Sequence, residues 1–245
     1  MMEALLREDA DGLCTLTLNR PEKLNALDTA LFERLDAELA LLETQAGSIG
    51  CVILRANGRA FCAGADLGAM SANPPLPTFK PGVIERLSRL PQPVIACVHA
   101  TCVTGGLELA LAADLIVAGA SARFADTHGN WGLVAGWGMT QRLPRRVGLS
   151  NAKLMMMTGR FIDAVEALRI GLVDMCLPDE ELESGTQALA REVLANSWHT
   201  TQKTKQLFIE TEGLSLAEGL AHEHYRYPGL APDFRERLAR FGQKD

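Results

Sequence analysis

Apolar and polar residues alternate over Leu13-Cys14-Thr15-Leu16-Thr17-Leu18, the period-two pattern of a half-buried strand. Asn19-Arg20-Pro21 ends it. The period then changes. Leu31, Leu35, Leu39 and Leu42 recur at helical spacing, with Asp28 ahead of them as a candidate N-cap, and this predicts a helix with one inward stripe. Short unbroken apolar runs at 51–54, 94–98 and 115–117 predict buried strands with helical segments between them. That order suggests stacked β–β–α units around buried sheets. From about Ser184 onward the pattern is helical with no strand-like run, so the chain is expected to divide into a core over 1–183 and a helical region over 184–245.

Two segments rich in helix and strand breakers interrupt the pattern. Ser71 to Pro81 contains Pro74, Pro75, Pro77 and Pro81 and is expected to be a surface loop, while Gly129 to Gly138 contains four glycines and is expected to bend tightly near a site.

Composition narrows the classes of function. The chain has 245 residues, 47% hydrophobic and 22% charged, enough for one large domain or one domain with a small appendage. A net charge of -6 without clustered Lys and Arg argues against a nucleic-acid face. No apolar run reaches the roughly 18 residues of a spanning helix, and residues 1–12 lack the apolar stretch of a secretory signal. Cys14, Cys51, Cys62, Cys97, Cys102 and Cys176 form no C-x-x-C pair, so buried free thiols and a cytoplasmic location are expected. There is no G-x-G-x-x-G loop, and His222-Glu223-His224 lacks zinc spacing; neither a redox cofactor nor a metal is expected.

Three segments have residue types suited to chemistry. Small residues in Gly58 to Leu67 allow close approach to a backbone whose N–H groups can bind an oxyanion, although an ordinary strand-to-helix turn reads the same way. Gly105-Gly106 stands where a helix should begin, presenting free N–H groups, with Glu108 in the first turn among Leu107, Leu109 and Leu111. A carboxyl in such apolar company has a raised pKa suited to proton transfer, whereas on a surface it would only pair with the helix dipole. His128 and Asp126 lie in a third segment; a solvated histidine and a turn-forming aspartate are their simplest readings.

Leu18-Asn19-Arg20-Pro21-Glu22-Lys23-Leu24-Asn25-Ala26-Leu27, Phe61 to Leu67, Thr104 to Glu108, Gly136 to Leu143 and Thr158 to Val173 together resemble, in order and spacing, the landmarks of the crotonase (enoyl-CoA hydratase/isomerase) superfamily. The resemblance implies an α/β fold, a crotonase-like spiral of ββα units with a helical C-terminal oligomerisation region forming a homotrimer or a hexamer. Phe208, Tyr225, Tyr227 and Phe234 in that tail would be hard for a monomer to bury. It implies an acyl-CoA thioester as substrate, coenzyme A being part of that substrate and not a separate cofactor. It places the thioester oxygen on the N–H groups of Ala65 and Gly105, the coenzyme A along Ala63, Gly64, Ala65, Asp66 and Leu67, and acid–base chemistry on Glu108. Two positions depart from the family pattern. A second glutamate is replaced by His128, and the Gly-Gly-Gly triplet opens with Thr104. Histidine exchanges protons near neutral pH. The expected function is therefore an enoyl-CoA hydratase-like hydro-lyase acting through an enolate. Thioester hydrolysis, C–C cleavage and non-catalytic acyl-CoA binding are the alternatives. Loss of the second acid weighs against Δ3,Δ2-enoyl isomerisation. Trp131 and Trp137 either narrow the acyl pocket or pack as ordinary wall residues.

Overall fold

A computed structural model describes residues 3–70 and 77–241 of the chain. It opens with an antiparallel hairpin of β1 (Leu5–Ala10) and β2 (Leu13–Leu18). After one 3₁₀ turn comes α1 (Thr29–Thr44), where Asp28 Oδ1 accepts the Leu31 N–H at 2.8 Å, the expected cap. Leu31, Leu35, Leu39 and Leu42 are all buried, as their spacing predicts.

The chain then winds through repeated turns. The first is β3 (Cys51–Ala56), β4 (Ala60–Cys62), α2 (Leu67–Met70) and α3 (Phe79–Ser88); the second is β5 (Val94–Val98), β6 (Thr101–Val103) and α4 (Gly105–Ala110). The third is β7 (Leu115–Gly119), β8 (Arg123–Ala125) and α5 (Met139–Thr158), followed by β9 (Ile162–Asp163), α6 (Ala164–Arg169) and β10 (Met175–Leu177). In each of the three turns the first strand joins a six-stranded sheet, ordered β1-β2-β3-β5-β7-β10, and the second joins a four-stranded sheet, ordered β4-β6-β8-β9. Strands β2 to β10 of the larger sheet pair in parallel. Both faces of such a sheet need cover, which is why β5 is buried along its whole length.

One face packs on the main core with α1. The other is covered by α7 (Leu182–Ala195), whose Leu182 and Ala190 meet Cys51, Ile53, Ile95 and Val117. The helical segment expected from Ser184 thus starts earlier, and the 183/184 boundary falls inside a helix packed on the sheet. Then follow α8 (Trp198–Thr211), α9 (Leu216–Tyr225) and α10 (Phe234–Phe241). Lys205 of α8 is buried and donates to Asp114 Oδ2 at 2.7 Å and Gln92 O at 3.0 Å, pinning that helix to the edge of β5.

Two expectations change. The four-stranded sheet was not foreseen, because strands of two or three residues are too short to show a period. The expected loop over 71–81 is helical from Phe79; Pro81 lies in the first helical turn, where its missing N–H has no intrahelical acceptor to lose. Pro74 and Pro75 lie outside the described residues. All six cysteines are free and all but Cys176 are buried. Among the described residues no helix is long and apolar enough to cross a membrane.

Candidate active site

The site forms where β4, β6 and β8 end side by side. After β6 the chain reverses sharply through Thr104, at φ 48°, and enters α4. Thr104 N–H donates to Ala125 O at 3.0 Å, tying this corner to the end of β8. The two glycines that follow are held in tight quarters. A Cβ on Gly106 would lie 2.6 Å from Cys62 O; one on Gly105 would lie 2.4 Å from Trp137 Cζ3 and 3.3 Å from Ala65 N. The backbones of Gly105 and Ala65 are therefore neighbours.

Both carry an unengaged N–H. Gly105 opens a helix, so its N–H has no intrahelical acceptor. Ala65 lies within a bridge to Leu27, but the bonds of that bridge come from its flanks: Leu27 N donates to Gly64 O at 2.8 Å and Asp66 N to Leu27 O at 3.0 Å. Among the described residues, neither the Ala65 nor the Gly105 N–H finds an acceptor. Two adjacent free N–H groups make a place for a partly negative oxygen.

Glu108 stands one helical turn further on, 1% exposed. Its Oε1 accepts the N–H groups of Trp137 at 2.7 Å and Met139 at 3.1 Å, so the glycine-rich bend at 136–138 grips the carboxylate. Burial raises its pKa above the ordinary carboxyl value, against the pull of those two N–H groups and of His128.

His128 opens a 3₁₀ turn just after β8. Its Nδ1 lies 2.5 Å from Oδ1 of buried Asp126, which also accepts the His128 N–H at 3.1 Å. Its Nε2 faces Glu108 Oε2 at 3.7 Å, beyond a direct hydrogen bond. Burial opposes a proton on this imidazole, but the Asp126 hydrogen bond and the charges of Asp126 and Glu108 prevail, so the pKa is raised. The result is a line of three groups, Asp126–His128–Glu108, ending on the backbone of the bend.

The structure thus gathers Ala65, Gly105, Glu108 and His128 at one place. Asp126 was read from sequence only as a turn former; no period marks it, since both it and His128 lie beyond β8, and its place in the site shows only in its hydrogen bonds with His128. Of the stretch expected to meet coenzyme A, Ala63 N–H is taken by Leu24 O at 3.0 Å and Asp66 Oδ2 accepts from Arg20 at 3.2 Å. Gly64 has φ 97°, and a Cβ there would strike Thr104 Oγ1; Leu67 is exposed. The two tryptophans part company. Trp137 leans on Gly105 and meets Phe32 edge-on, ring centroids 5.1 Å apart, whereas Trp131 is 65% exposed. No group of three or more His, Cys, Asp and Glu residues suited to a metal occurs among the described residues; His222 pairs with Glu210 at 2.8 Å.

Residues 8–234 match the family model described as enoyl-CoA hydratase/isomerase. The 1,2-epoxyphenylacetyl-CoA isomerase of Escherichia coli K12 is 32% identical, with 98% of this chain and 96% of that protein aligned. The 2,3-dehydroadipyl-CoA hydratase of the same organism is 36% identical, covering 99% of this chain and 97% of that one. Among solved structures, an enoyl-CoA hydratase from Bacillus anthracis superposes with a TM-score of 0.94 at 32% identity, over 99% of this chain and 97% of the other. The spiral of ββα turns is the fold of the crotonase superfamily. Within it the chain belongs to the enoyl-CoA hydratase/isomerase family, whose members act on acyl-CoA thioesters.

Proposed function

We propose that the chain is an enoyl-CoA hydratase-like hydro-lyase that adds water across the double bond of a 2-enoyl-CoA thioester. The observation that carries this reading is the pair Glu108 Oε2 and His128 Nε2, facing each other at 3.7 Å with Asp126 behind the imidazole. One water within hydrogen-bond reach of both atoms, about 2.8 Å from each, would donate to the carboxylate and accept from Nε2–H. A lone carboxylate suffices to move a proton between two carbons of one substrate; two unlike groups sharing a water suit its addition.

In this reading the thioester oxygen rests on the N–H groups of Ala65 and Gly105, with coenzyme A along 63–67. Negative charge grows on that oxygen as hydroxide attacks the β-carbon, and preorganised donors stabilise it. Glu108, a stronger base for being buried, takes the proton of the attacking water. His128, kept as imidazolium by Asp126, protonates the α-carbon. The proton on Glu108 then passes to the neutral imidazole, and the net change is one water added. The raised pKa of each group supports its assigned role.

The test is incubation with crotonyl-CoA. Loss of the conjugated thioester absorbance, with a product one water heavier and no free thiol, is the expected result. Thiol release would indicate hydrolysis, and a shifted double bond without mass change would indicate isomerisation; either replaces the hydratase reading.

A further inference from the structure

Lys80 is out of place for a lysine. It lies in α3, only 8% exposed, and among the described residues its ammonium has no hydrogen bond or ion pair. Its Nζ lies 5.5 Å from the centroid of the Phe32 ring and 5.7 Å from that of Trp137, close enough for cation–π attraction. The nearby carboxylates are already engaged: Arg20 holds Asp28 at 3.0 Å and Asp66 at 3.2 Å. Burial lowers the Lys80 pKa, and Asp28 and Asp66 oppose it only through their fields.

The position of this ammonium matters because Trp137 links it to the site. The edge of the indole rests on Gly105, its backbone N–H holds Glu108, and Lys80 lies over its ring. One aromatic ring therefore separates a buried cation, unpaired among the described residues, from the place where the thioester oxygen is proposed to sit. An alkyl chain lying along this wall would leave the ammonium desolvated and without an acceptor, which is unfavourable. An anionic oxygen there would supply the missing charge-assisted hydrogen bonds. Discrimination follows from both sides of that difference.

We propose that Lys80 sets acyl specificity, and that the thioester this chain prefers carries a carboxylate at the far end of its acyl group. This rests on the acyl-CoA reading of the site but not on which reaction follows. Saturated thioesters therefore suit the test, since they bind without being hydrated. Calorimetric titration would compare glutaryl-, adipyl- and pimelyl-CoA with pentanoyl-, hexanoyl- and heptanoyl-CoA, and with free coenzyme A, on the wild type, Lys80→Met and Lys80→Arg. The wild type is expected to bind at least one ω-carboxyacyl thioester more tightly than its alkyl counterpart by about ten- to a hundredfold, the range for a hydrogen bond to a charged group. Lys80→Met should bring that ratio near one and Lys80→Arg should keep most of it. A wild type without the preference overturns the proposal whether or not the Met variant folds. So does a preference that survives in folded Lys80→Met. A Met variant that weakens free coenzyme A as much as the carboxylated thioesters would place Lys80 on the nucleotide instead, also against the proposal. If no acyl-CoA binds at all, the acyl-CoA reading falls, and this inference with it.

Discussion

A two-residue offset between Asp126 and His128 decides the electrostatics of the site. Asp126 holds Nδ1 and leaves Nε2 toward Glu108. Replacing Glu108 by Gln or His128 by Ala should each cost about 10²–10⁴ in kcat. The double variant should be little worse than the poorer single, because groups that act as a unit are not additive. Steady-state rates on crotonyl-CoA check this; an unimpaired His128→Ala beside an inactive Glu108→Gln would leave a one-carboxylate mechanism. The pH profile tests Asp126. In the proposed mechanism Glu108 is ionised and His128 protonated, so activity should fall as pH drops through the raised Glu108 pKa and as pH rises through the raised His128 pKa. Asp126→Asn removes the Asp126 share of what raises the latter and leaves only the Glu108 charge, so the alkaline limb of kcat/KM should move to lower pH and the plateau should drop. A lower plateau with an unmoved limb would make Asp126 a structural residue only.

Among the elements, α4 matters most, and it is short: six residues opening on Gly105 and lying between the 63–66 stretch and the bend at 136–138. Its value is its unsatisfied N-terminus. Gly105→Ala and Gly105→Pro separate space from hydrogen bonding, since each adds a Cβ that pushes Trp137 aside but only proline removes the N–H. If that N–H holds the thioester oxygen, the proline variant should turn over about 10²–10³ more slowly than the alanine variant, with thermal unfolding used to confirm that both are folded. Equal rates would withdraw Gly105 from the oxyanion assignment. At Gly64 the constraint is conformational. With φ 97° and Thr104 Oγ1 in the way of any Cβ, Gly64→Ala should destabilise by about 1–3 kcal/mol or more, read as a lowered Tm. Adding Thr104→Gly should recover the part due to contact.

For the molecule as a whole, the exposed apolar side chains matter. Phe208, Leu216, Leu220, Tyr225 and Phe241 of the last helices and Tyr227 between α9 and α10 are all exposed, as are Leu154, Met157 and Val165 around the end of α5. A free monomer seldom leaves so many large apolar side chains in water. Light scattering at micromolar concentration is expected to give the mass of a trimer or of a dimer of trimers. A clean monomer would show that these residues serve something other than self-association.

Where chemistry is written in adjacent residues, the sequence alone was sufficient. Strands β2, β3, β5 and β7 of the larger sheet, the α1 stripe with its Asp28 cap, and the glycine pair ahead of Glu108 all follow from local period and capping, because each depends on neighbours along the chain; β1 shows no such period and was not foreseen. His128 was legible too, from its place among the landmarks. The smaller sheet was not, since strands as short as Thr101–Val103 exist only through their pairing with β4 and β8. Nor was the burial of Lys80, which stands in a proline-rich stretch that reads as a loop and is enclosed by Phe32 from α1 and Trp137 from a distant bend. The same holds for the Ala65 and Gly105 N–H groups as a pair. Each is an ordinary turn amide in sequence; the spiral brings them side by side, and burial and approach between distant segments are set by packing, which only the tertiary structure decides.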